Sequence, residues 1–117
     1  MTPLEQAERD SRLWHIAEAC SAVIKFTRSR SLEHYKSNDI LRSAVGYQLM
    51  VIGEAMVRLS RVDPEIGGHI SNPSGIIALR NKVVHDYPEI DDEQIWSIAI
   101  NDVPILLAEV QALLPSG

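Results

Sequence analysis

The strongest constraint on the fold is an apolar repeat of three and four residues that recurs along nearly the whole chain. Leu13, Ile16, Ala17, Cys20, Val23, Ile24 and Thr27 fall on one face of a helix, which is therefore expected to be buried along its length. Thr2-Pro3-Leu4-Glu5 marks its start, with threonine as cap, proline in the first turn and glutamate completing a capping box. A second apolar arc, from Ile40 to Leu59, predicts a helix over about 38–61, with Gln48 near the arc's centre and Glu54 near its edge. The polar stretch SRSLEHYKSND separates the two, so His34 is expected in a surface loop. Residues 63–75 concentrate glycine and proline and read as a loop with room for one short helical turn, and His69 is expected on its surface. Asp91-Asp92-Glu93 opens a last helix whose stripe runs from Ile95 to Leu114, and Pro104 should kink it or split it in two. Trp14 and Trp96 are expected to pack at a subunit or helix contact. No alternating β-branched pattern occurs. The chain should be all-α, a four- to five-helix up-and-down bundle forming one domain over 1–117.

Composition narrows the setting. The N-terminus is polar, without the apolar core of a secretion signal, and no continuous apolar run approaches the roughly 20 residues of a bilayer span. Cys20 is the only cysteine, which leaves no internal disulfide and no cysteine pair for zinc. A cytoplasmic protein without membrane contact is expected. Its formal charge of −5 argues against a protein that coats nucleic acid generally. Residues 25–61, however, hold seven Lys/Arg against three Asp/Glu, whereas 63–117 hold two against nine. No metal cofactor is expected, because His15 and Glu18 share a helix face without a second ligand pair.

A third helix is expected from Pro73 or Ser74 to His85, stopped by Pro88. On an ideal helix, Ile76, Leu79, Val83, Val84, Ile77 and Tyr87 form an apolar arc, and Arg80 falls inside it. Asn81 and His85 share the opposite face, one turn apart. Three readings of Arg80 stand side by side: a guanidinium snorkelling to solvent, a buried ion pair with Glu54, or a cleft residue binding phosphate.

Arg80, Asn81, His85 and Tyr87 together spell R-N-x-x-x-H-x-Y, which resembles the signature of the HEPN superfamily and, with the tyrosine, its HepT-type toxins. Val51-Ile-Gly-Glu-Ala55 is similar to the family's I-G-E-A segment, and Ile77-Ala-Leu-Arg-Asn81 to its lead-in. Ile95-Trp96 and Asp102-Val-Pro104 resemble positions of its last helix. The resemblance implies an all-α homodimer, with the motifs of two protomers facing one cleft, and a metal-independent ribonuclease requiring no cofactor. It implies catalytic roles for Arg80 and His85; beside them, Asn81, one turn before His85, is placed to orient the imidazole or bind phosphate, and Glu54 to offset the Arg80 charge in the empty site. It further implies that a cognate minimal nucleotidyltransferase acts as antitoxin by adenylylating Tyr87.

These residue types suit that chemistry. A histidine titrating near neutrality can take the proton of a ribose 2′-hydroxyl, and a permanently charged arginine stabilises the phosphorane oxygens. Arg80 and His85 project about 140° apart on an ideal helix, so a two-fold site drawing groups from both protomers would bring the chemistry together. The alternative is a helical adaptor that binds a nucleotidyltransferase, its Arg80 and His85 contacting nucleotide phosphates.

Overall fold

Helix α1 (Pro3–Thr27) begins where the capping box places it. Thr2 Oγ1 accepts from the Glu5 N–H at 3.1 Å, and Glu5 Oε1 accepts from the Thr2 N–H at 2.9 Å. The structure, a computed structural model, describes residues 1–72, 75–76 and 91–115. In α1 the apolar stripe is buried as its spacing requires: Leu13, Ile16, Cys20 and Val23 are sealed from solvent, and Thr27 returns its hydroxyl to the Val23 carbonyl at 2.9 Å. Burial pushes the Cys20 thiol up to about 12, so it is an inert core group. The helix stops in a turn closed by the Arg30 N–H on the Thr27 carbonyl, with Ser29 at φ 60°. That left-handed position ordinarily favours glycine.

The polar stretch between the long helices is itself helical, which corrects the loop expected there. Helix α2 (Leu32–Ser37) is capped by Ser31, whose hydroxyl accepts from the His34 N–H at 3.2 Å. His34 thus lies on a helix, although it is exposed as expected. A helix this short lacks a full apolar repeat, and one anchor replaces it. Tyr35 is buried with its ring 5.4 Å from that of Trp96.

Helix α3 (Asp39–Val62), capped by Asn38, runs antiparallel to α1. Arg9 Nε donates to Asp63 Oδ2 at 2.9 Å, pinning the end of α3 to the first part of α1. Leu49, Ile52, Met56 and Leu59 turn inward against the α1 stripe. Burying a side chain of this size contributes about 1.5–3 kcal/mol. A 3₁₀ turn (Ile66–His69) follows, the single short turn expected, with His69 exposed.

The chain then supplies α4 (Asp92–Ser97), a π turn (Ile98–Asp102) and α5 (Val103–Leu113) as one helical run packed on α1. Pro104 explains the wide turn. Proline offers no N–H and crowds the carbonyl four residues back, and the adjacent Val103 N–H reaches five residues back to the Ile98 carbonyl. Ala99, Val103, Leu106 and Val110 complete the core. Trp96 packs at a helix contact as expected, whereas Trp14 is 53 % exposed on α1. By length and composition, α3 and the run 92–113 match a bilayer span although neither is a continuous apolar run; both turn their apolar faces to α1. No strand occurs among the described residues.

Candidate active site

The segment expected to carry the chemistry is anchored at its start by Asn72. Its Oδ1 accepts from the Gly75 N–H at 3.0 Å, and its carbonyl accepts from the Ile76 N–H at 3.2 Å. This is the hydrogen-bonding of a helix N-cap, one residue before the expected start at Pro73. A Cβ at Gly75 would meet the amide end of the Asn72 side chain, so a larger residue there would turn this cap aside. Just upstream, Glu109 of α5 accepts from both the N–H and the hydroxyl of Ser71, at 3.0 and 2.8 Å. Ile76 lines a small apolar void of about 20 Å³ with Leu49 and Ile52 of α3 and Ile98 of the π turn. The lead-in is thereby tied to both halves of the fold.

Beside it opens a cleft of about 630 Å³. Among the described residues its wall comprises Asn72, Gly75 and Ile76 on one side, and Gln94, Ser97, Asp102 and Glu109 on the other. The π turn directs Asp102 toward this space. Ile95, Trp96 and Val103, by contrast, are buried, so those parts of the resemblance describe packing. Asn72 and the Ser71–Glu109 tether were not singled out from sequence. The pair Asn72-Pro73, a capping residue before a first-turn proline, was the available signal. No sequence rule links Ser71 to Glu109, 38 residues away.

The ribonuclease HepT-like family model matches residues 16–113, most of the chain. The chain belongs to the ribonuclease HepT-like family, within the HEPN superfamily. It is 33 % identical over 105 residues to a Methanocaldococcus jannaschii protein provisionally named as an RNase, covering 87 % of this chain and 84 % of that one. A Caldanaerobacter subterraneus protein, also provisionally named as an RNase, is 28 % identical over 103 residues, covering 87 % and 90 %. A Thermococcus cleftensis protein provisionally named ribonuclease HepT is 28 % identical over 102 residues, covering 84 % and 88 %. No solved structure matches the chain.

Of the residues singled out in this HepT-like chain, Arg80, Asn81, His85 and Tyr87 lie outside the described residues, as does the course of the third helix to His85. All four fall inside the span that the family model matches. Glu54 is described: it sits half-buried on α3, between Val51 and Arg58 on one side of the helix. His15 and Glu18 are both exposed on α1, and the His15 ring lies edge-on to Trp14, with centroids 5.4 Å apart.

Proposed function

We propose that this HepT-like protein is a metal-independent endoribonuclease and the toxin of a toxin–antitoxin pair. The observation that carries this reading is the sequence Arg80-Asn81-x-x-x-His85-x-Tyr87 inside the span matching a ribonuclease family. In the proposed reaction His85 takes the proton of a ribose 2′-hydroxyl. The freed oxygen attacks the adjacent phosphorus, and the bond to the 5′-oxygen breaks, that oxygen leaving with a proton. Arg80 stabilises the charge that accumulates on the phosphorane, and Asn81 orients the imidazole or holds phosphate. Glu54 offsets the Arg80 charge while the site is empty.

The catalytic unit is a homodimer in which two protomers share one cleft, since the two side chains diverge on a single helix. Adenylylation of Tyr87 by a cognate minimal nucleotidyltransferase then silences the site, because a bulky anion beside it repels and displaces RNA phosphate. Expressing the chain alone tests this reading. Growth should arrest with the native sequence and recover with His85→Ala or Arg80→Ala at equal folded yield. Absence of toxicity from the native sequence would instead support the adaptor reading, which the acidic last helices favour: residues 91–115 hold five Asp/Glu and no Lys or Arg. After incubation with the nucleotidyltransferase and ATP, mass spectrometry should locate one adenylyl group on Tyr87; an unmodified tyrosine would remove the regulatory half.

A further inference from the structure

A second concave surface lies apart from the cleft beside Asn72. Where the end of α1 meets the start of α3, a groove of about 540 Å³ is lined by Phe26, Ile40, Ala44, Tyr47 and Gln48, with Asp39 at its rim. Its apolar groups are unusually open for a core-facing hairpin: Ile40 is 82 % and Tyr47 59 % exposed. The adjoining end of α1 is basic. Lys25 precedes Phe26, and Arg28 and Arg30 follow it in the turn, all three exposed. Asp39 is already paired with Arg42. Along α3, Tyr47, Val51, Glu54 and Arg58 recur at intervals of four, three and four residues, so they share one face. Tyr47 therefore stands two turns, about 10 Å, from Glu54, with the exposed Arg58 one turn beyond.

We propose that this groove is a subsite for single-stranded RNA, with Tyr47 as a stacking platform for a base that flanks the cleaved position. The proposal takes the identity of its ligand from the ribonuclease reading. An exposed aromatic ring in a groove whose adjoining segments carry exposed arginines offers what unpaired RNA requires, a π face for the base and cations for the backbone. A second copy of the chain fits this face less well. A two-fold contact centred on Tyr47 would bring the basic turn after α1 toward the Arg58 end of α3 in the second copy, setting like charges together.

The test uses the intact protein and a fluorescent 12-nucleotide single strand carrying 2′-O-methyl groups, which cannot be cut because it lacks the nucleophile. Binding is followed by anisotropy and oligomeric state by sedimentation. Tyr47→Ala should weaken binding about 5- to 100-fold. Tyr47→Phe, which keeps the ring, should bind within twofold of the native protein, and neither change should alter sedimentation. Unchanged affinity in Tyr47→Ala overturns the proposal, as does a native protein that does not bind the strand. So does a change in sedimentation on Tyr47→Ala, which would make the groove a contact between copies. A protein that cuts RNA normally as Tyr47→Ala, with unchanged binding, loses the groove and keeps the nuclease. A protein that binds the strand through Tyr47 yet cuts no RNA loses the nuclease and keeps the groove.

Discussion

The α1–α3 hairpin and the α4–α5 run bury the same kinds of residue against the same stripe of α1, yet their outer surfaces are opposite. Residues 25–61 hold seven Lys/Arg against three Asp/Glu, and residues 91–115 hold five Asp/Glu with no Lys or Arg. Packing does not require that contrast, because the charged groups named above lie toward solvent on both sides. The difference therefore concerns what each surface meets. In this account the hairpin receives RNA, and the acidic run fixes the lead-in to the motif through Ile98 and the Glu109–Ser71 tether.

The largest expected effect tests whether the two regions fold as one. Met56 is wholly buried on α3, so Met56→Ala should cost about 2–5 kcal/mol in urea unfolding. It should shift the signals of Trp14 on α1 and Trp96 on α4 in a single transition; separate transitions would show that the run is an independent unit. Next comes alkaline pH, through Cys20 in the hairpin and Tyr35 against Trp96. Burial raises both groups to about 12, from 9.0 and 10.0, and Asp92 adds to the rise at Tyr35. Both are acids held neutral in the folded state. Their contribution is therefore fully present below pH 9 and is lost as pH climbs toward 12. The unfolding free energy in urea should fall by roughly 2–3 kcal/mol by pH 11, chiefly through Cys20, with a smaller part from Tyr35 that Tyr35→Phe removes.

A third comparison addresses the charge contrast itself. Arg28→Ala with Arg30→Ala should lower the slope of log affinity for single-stranded RNA against log salt by about 1.4, whereas Asp102→Asn should leave it unchanged. Equal slopes would remove the functional meaning of the contrast. The smallest effect is local. Ser29→Gly should stabilise the protein by about 0.5–1 kcal/mol, because glycine accepts the left-handed backbone that serine holds at φ 60°.

Sequence periodicity was most informative where a helix is long and one-sided. Every residue of the α1 stripe except the half-buried Ile24 is buried, and Pro104 marked the place where the last helix changes its winding. Periodicity missed α2 because six residues held by the Ser31 cap and one tyrosine offer no repeat. The α3 arc is also narrower than residue type suggests: Ile40 lies about 100° around the helix from the buried Leu41, on the outer side with Tyr47, and remains exposed. Chemistry was legible in a different way. Arg80 and His85 stood out through their residue types and the family pattern. Tyr47 did not, since an exposed tyrosine on an amphipathic helix carries no signal until its neighbours across the groove are known.

Cleavage itself is read out with purified protein mixed with end-labelled RNA in excess EDTA. Metal-free catalysis by His85 should leave 2′,3′-cyclic phosphate ends, at a rate at least about 100-fold lower for His85→Ala at an unchanged unfolding midpoint. Cleavage that persists in His85→Ala, or that disappears from the native protein on adding EDTA, would contradict it.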